Sequence, residues 1–185
     1  MNLRSFRHNA IILANLLITG MLVISFSKSY ATNAPSEVLS SKTSQPTYSD
    51  QLLNTTAQKI NQIRSANNLQ SMSEDNELDK LAQARADDMS NNNYYSHLDS
   101  QKHYFDYYLK NSNYNYNFAC ENLNISDIND PNIFVDGWMN SKTGHKDCIL
   151  KPSHTRYGYA VTKIKSSGNY TFNTEETVIV AIYSD

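Results

Sequence analysis

Apolar positions recur at helical spacing in the first half of the chain and alternate along strands near its end. From Asp50, the positions Leu53, Ala57, Ile60 and Arg64, flanked by Leu52, Thr56 and Ile63, predict an amphipathic helix that ends near Asn67-Asn68. Ser73 is a good N-cap for a second helix, whose stripe is Leu78, Leu81, Ala82, Arg85, Ala86 and Met89 and whose stop is Asn91-Asn92-Asn93. Both stripes read as core material without chemistry of their own. A short aromatic helix follows over His103–Lys110, with Tyr104, Phe105, Tyr108 and Leu109 as its buried face. Asn111–Asn117 reads as a loop into a strand at Phe118–Leu123. Asp130-Pro131 is an N-cap followed by proline at N1, opening a helix that buries Ile133 or Phe134, then Val135, Trp138 and Met139. Ser141–Gly144 breaks it before a helical turn over His145–Leu150. Tyr157–Ile164 and Thr177–Tyr183, joined through the turn Ser166-Ser167-Gly168-Asn169, read as antiparallel strands. Helices come early and strands late, so the fold class is α+β rather than alternating βαβ.

The pattern changes before Asp50. Arg4, Arg7 and His8 precede an apolar run from Ala10 to Phe26, and Ser29-Tyr30-Ala31 offers a small-x-small cleavage site. The expected organisation is a signal peptide at residues 1–31, a Ser/Thr/Pro linker at 32–49 and one domain at 50–185, with no transmembrane segment once the signal is removed. Removal takes three basic residues and no acid, leaving 13 basic against 18 acidic residues, a charge of −5. With no basic stripe, nucleic acid is not an expected partner. Export also implies an oxidising compartment for Cys120 and Cys148.

Candidate chemistry lies in three separated stretches: Tyr94–His97, Cys120–Leu123 and Asp136–Pro152, which holds the single tryptophan. Two imidazoles and a carboxylate (His97, His145, Glu121) suit Zn²⁺ with an open position for water. The same residues serve equally as hydrogen-bonding groups that fix loops around the sheet. The tyrosines between 94 and 117 form either an aromatic rim for a ligand or a cover for the sheet, and Trp138 reads as core. Asp99, His103 and His154 read as surface residues without partners. Asn54, Asn124 and Asn169 each begin an Asn-x-Ser/Thr triplet.

Several stretches, in order, resemble the CAP superfamily (cysteine-rich secretory proteins, antigen 5 and pathogenesis-related proteins), also called SCP-like extracellular domains. They are Ile60–Arg64, Leu78–Met89, Tyr95-Ser96-His97, Glu121-Asn122, Gly137–Ser141 leading to Gly144-His145, Ile149-Leu150 and Tyr157–Ala160. The likeness covers about residues 50–185 and is strongest to the cysteine-poor bacterial branch. It implies a three-layer α-β-α sandwich with a central antiparallel sheet and an open cleft holding two histidines and two acids. Carried onto this chain, the histidines are His97 and His145 and the first acid is Glu121. The second acid falls on Ser141, a departure, and Cys120 stands where the family's signature has glycine. If Glu121 and His145 share a cleft, Cys120 and Cys148 lie near each other and a disulfide is the expected arrangement. Two buried thiols or a nucleophilic Cys120 are the alternatives, and strand alternation puts Cys120 on the face opposite Glu121. The resemblance implies a role outside the cell or in its envelope, and the expected form is a monomer that is secreted, periplasmic or held in the cell envelope. Its cleft, lined by His97, Glu121, Ser141 and His145, binds a lipid, protein or envelope ligand, with Zn²⁺ on His97 and His145. The alternative is a metal-assisted hydrolase of peptide or envelope polymer, using Glu121, His97 and His145.

Overall fold

The computed structural model describes residues 46–165 and 175–185. In chain order the elements are α1 (Tyr48–Ala66), β1 (Ser73–Glu74), α2 (Asn76–Asn92), α3 (Phe105–Asn111), β2 (Ala119–Ser126), α4 (Pro131–Met139), α5 (His145–Ile149), β3 (Arg156–Lys165) and β4 (Glu175–Ser184). The expected signal peptide, most of the expected linker, and the turn carrying Asn169 lie outside the described residues.

The strands form one sheet in the order β1-β3-β4-β2. β4 runs antiparallel to β2 and β3, and two-residue β1 adds a short parallel pairing to β3. The centre of the sheet is therefore antiparallel, as expected. β4 is central and buried on both faces, so its sequence is apolar at consecutive positions. Ile179, Ala181 and Tyr183 face a core shared with α1, α4 and α5, including Leu52, Ile60, Phe134 and Trp138. Val178, Val180 and Ile182 face the other core, with Leu78, Ala82 and Met89 of α2 and Leu109 of α3. This is a helix-sheet-helix sandwich. Gly158 of β3 lets α2 come close, since a Cβ there would sit 2.2 Å from the backbone carbon of Leu78 and 2.4 Å from the Asp79 nitrogen.

Helix starts differ from expectation in α1, α2 and α3. α1 begins at Tyr48 because Thr47 and Asp50 form a capping box, with the Asp50 N–H donating to Thr47 Oγ1 at 3.2 Å and the Thr47 N–H donating to Asp50 Oδ2 at 2.8 Å. The N-cap of α2 is Asp75, not Ser73. Ser73 is drawn into pairing, its N–H donating to Thr155 O, while Asp75 Oδ1 accepts from the N–H groups of Glu77 and Leu78. In α3 only Leu109 is fully buried; Tyr104 is 58% exposed, because it is the N-cap and precedes the buried stripe. In α4, Phe134 rather than Ile133 faces the core.

One buried cation ties these layers together. Arg64, in the last turn of α1, is fully buried and donates to the carbonyls of Gln70, Ile149, Lys151 and His154 at 2.7–3.0 Å. Burial lowers the pKa of the guanidinium from its ordinary value. Four oriented carbonyl dipoles take the place of water around it. Arg64 thus pins the segment that follows α5, and with it the helix that begins at His145.

Candidate functional site: a histidine pair beside the open sheet edge

Three elements converge on the outer edge of β2, whose middle residues Glu121, Asn122 and Leu123 are buried. The loop after α2 brings His97, the strand itself carries Glu121, and α5 opens with His145. Gly144 makes the entry to α5 possible, because it sits at φ +95°, a left-handed conformation costly for any residue with a Cβ.

Glu121 is the best-anchored group of the site. Its side chain is 1% exposed and that of Arg85 is not exposed at all. Arg85 Nε donates to Oε2 at 2.9 Å and its Nη2 to Oε1 at 3.4 Å, while His97 Nδ1 lies 2.9 Å from Oε1. Arg85 also donates to Tyr94 Oη and to the Ser96 carbonyl, so one guanidinium holds the acid and the loop that presents His97. Burial opposes the charge on Arg85, but the hydrogen bond and charge of Glu121 outweigh it and hold the guanidinium above its ordinary pKa.

The two imidazoles stand with ring centroids 6.0 Å apart and planes at 29°. His145 Nδ1 is 2.9 Å from Ser141 Oγ, and Asn122 donates to the His145 carbonyl at 3.0 Å. Ser141 therefore stands as a hydrogen-bonding group where fuller members of the resembled family have an acid. Burial, and secondarily the neighbouring His97, lower the pKa of His145, which favours neutral imidazole at neutral pH. A depression of about 300 Å³ beside it is lined by Tyr95, Leu123, Asn124, Trp138, Ser141 and His145.

Cys120 and Cys148 form a disulfide with a Cα–Cα distance of 6.2 Å. Cys120 packs against the α1/α4/α5 core while Glu121 points toward α2, so the pair locks α5 to β2 from behind the cleft. His154 is 1% exposed, against the expectation of a surface residue; its Nδ1 donates to the Cys148 carbonyl at 3.0 Å, and burial lowers its pKa. Asp99 is likewise 5% exposed, accepting from the N–H of His103 and Gln101 and from Tyr108 Oη, with His103 Nδ1 3.1 Å away. Neither residue sits on a periodic face, so the pattern carried no sign of their burial. Asn124 acts as a bracket: its Nδ2 donates to the Phe134 carbonyl, its Oδ1 accepts from the Ile125 N–H, and a Cβ at Gly137 would meet its amide at 2.4 Å.

Among the described residues, the three donors close enough to converge on one ion are Cys120, Cys148 and His154, and two of these are spent in the disulfide. Glu121, His97 and His145 do not converge in that way: Glu121 Oε1 lies 2.9 Å from His97 Nδ1, but the three do not all come within reach of one ion.

A family model, that of the cysteine-rich secretory protein (CAP) family, matches residues 57–183. The chain belongs to this family. An uncharacterized membrane protein of Bacillus subtilis, YlbC, is 28% identical to it over 110 residues, covering 60% of the chain; the chain spans about a third of that relative's length (31%). Among solved CAP-fold structures, an outer surface protein of Borrelia burgdorferi superposes with a TM-score of 0.60 at 18% identity, covering 73% of the chain and 92% of that protein. An SCP-domain extracellular protein of Bacillus anthracis superposes with a TM-score of 0.56 at 25% identity, covering 76% of the chain and 45% of that protein. Among the described residues, no helix of this CAP domain is long and apolar enough to cross a membrane.

Proposed function

We propose that this is an exported CAP domain whose cleft binds a ligand and does not turn it over. The expected arrangement is a cleaved signal at residues 1–31 and a domain acting outside the cell or in its envelope. The observation that carries the reading is the state of Glu121. A general base, or a carboxylate that activates metal-bound water, needs a lone pair directed at the reacting atom. Glu121 is buried, neutralised by Arg85, and has both oxygens in use. What it can do is hold His97 with Nδ1–H donating to the carboxylate, which leaves the Nε2 lone pair for the cleft. Carboxylate–histidine pairs of this kind support metal-binding imidazoles.

The donor set fits a divalent cation held by His97 and His145, each steadied at Nδ1, by Glu121 and Ser141 respectively. Zn²⁺ on two imidazoles would supply a positive charge for an anionic or carbonyl group of the ligand. The chain's own residues orient the rings and keep the Glu121 charge compensated. The test is thermal unfolding of wild type, His97→Ala and His145→Ala during Zn²⁺ titration. Saturation at a hundred times Kd raises wild-type stability by about 2.7 kcal/mol, and both variants lose the response. A flat wild-type titration removes the metal from the proposal. Turnover of a peptide or peptidoglycan panel that disappears in both variants overturns the non-catalytic reading.

A further inference from the structure

Taking the cleft as a binding site, we infer that its ligand is an extended peptide segment that adds a strand to the outer edge of β2. The register of β2 with β4 fixes which way each main chain points. Phe118 O accepts from Asp185 N, and Cys120 and Asn122 lie opposite Tyr183 and Ala181, so the even-numbered residues turn their N–H and C=O toward β4. Ala119, Glu121, Leu123 and Ile125 turn theirs outward. The far half of that edge is closed by side chains: Trp138 Nε1 donates to Leu123 O at 2.9 Å, and the Ile125 N–H donates to Asn124 Oδ1 at 2.8 Å. The near half is not closed. Among the described residues, Ala119 N–H and C=O, Glu121 N–H and C=O, and Leu123 N–H have no hydrogen-bond partner. Unpaired edges invite strand addition, and this one is capped by side chains only over half its length.

Access and spacing decide the class of ligand. Glu121 is 7% exposed as a residue but 1% as a side chain, so what solvent reaches on it is mostly main chain; Ala119 is half-buried, and Leu123, at 3%, is almost covered, so the open stretch is Ala119–Glu121. These groups recur every two residues, about 6.8 Å apart, the repeat of an antiparallel strand. A lipid has no repeating donors and acceptors to match them. A second copy of this chain would bring a sheet edge with flanking helices, too thick for an edge recessed between the His97 loop and α5. A single extended chain fits. It would run from a groove of about 450 Å³ beside Ala119, where Phe118 is 56% and Tyr104 58% exposed, past His97 and His145 to the depression at Leu123. Side chains of the peptide would meet aromatic rings at one end and the Asn/Ser/His wall at the other.

The experiment selects binders from a random twelve-residue displayed peptide library on the full-length, disulfide-closed protein. A single N-methyl group is then walked along the best peptide. Strand addition predicts that N-methylation at alternating positions weakens binding at least tenfold while intervening positions tolerate it, since one register of N–H groups faces β2. Ala119→Pro, which removes one outward donor at the start of an edge strand where proline is tolerated, should weaken the same peptide at least fivefold. Bound peptide should slow hydrogen exchange of the Ala119 and Glu121 amides. A flat N-methyl profile, unchanged affinity in Ala119→Pro, or a library that yields no binder overturns the inference. In each of those cases a Zn²⁺ response lost in His97→Ala would leave the cleft itself standing as a binding site.

Discussion

Replacing Glu121 by glutamine keeps the shape of the side chain and removes one charge from a pair that solvent does not reach. Arg85 is then a buried cation whose counter-charge is gone, with Tyr94 Oη, the Ser96 carbonyl and the amide oxygen as remaining acceptors. At an effective dielectric of ~20 and a charge separation of ~4 Å, the lost attraction is about 4 kcal/mol. Single deletions in buried pairs cost about 3–5 kcal/mol. In a domain of this size that lowers Tm by roughly 10–20 °C. The assay is urea unfolding of wild type, Glu121→Gln, Arg85→Met and the double variant, all with the disulfide intact. Each single variant should lose several kcal/mol, and the double variant should lose much less than their sum, because no lone charge remains inside. A Glu121→Gln loss below about 1 kcal/mol, or additive losses, would refute the buried-pair argument and with it the reason for regarding Glu121 as unable to act as a base. The same numbers warn against reading a dead Glu121 variant as a catalytic defect before its fold has been checked.

Opening the Cys120–Cys148 bridge releases a 28-residue separation, and chain entropy puts the loss at about 3.5 kcal/mol, measurable as a shift in denaturation midpoint between Cys120→Ser/Cys148→Ser and wild type. Gly158→Ala drives a methyl group into the backbone of α2 and should cost roughly 3 kcal/mol; a loss under 1 kcal/mol in urea unfolding would show that α2 can slide away. Burial pushes the Asp79 carboxyl up to about 6, with Glu74 and Asp75 adding to the rise and the Tyr159 N–H opposing it. A raised carboxyl pKa favours the folded state most below pH 4, and that contribution is lost as pH rises to about 6. Thermal melts between pH 4 and 7 should therefore show wild type falling relative to Asp79→Asn across that window and running parallel to it above; curves parallel throughout would remove Asp79 as the cause.

The layers were legible because burial leaves a period. The stripes of the first two helices mark the faces that α1 and α2 turn inward, and the alternation after Pro152 marks β3 and β4. Even the opposed directions of Cys120 and Glu121 followed from their being neighbours on a strand. What the period could not reveal was the identity of partners. Arg85 reads from the pattern as one member of an apolar stripe, and so as core. Its meaning lay in Glu121, 36 residues later on another element. A signal was present nonetheless, since arginine on an inward face implies a buried acid or a set of carbonyls, and both Arg85 and Arg64 have one. Asp99 and His154 left no such trace, because irregular segments have no face. For the site, the separation of His97, Glu121 and His145 hid their proximity, and only the family resemblance brought them together in advance. Neither the sequence nor that resemblance drew attention to the open main chain of β2, since hydrogen-bonding capacity along an edge depends on strand order and not on side chains.

That strand order has a consequence for how the domain is made. β4 follows β2 and β3 in sequence and is the last of the described elements, yet β2 and β3 pair with it and not with each other. During vectorial synthesis, β2, β3 and both helical layers emerge before the strand that joins them. Neither core can close until residues Glu175–Ser184 arrive, whereas Cys120 and Cys148 are both available earlier and could bring β2 and α5 together ahead of the sheet. A nascent chain that has not yet released Glu175–Ser184 should therefore lack both closed cores, and the sheet should assemble in a single step once that strand is free.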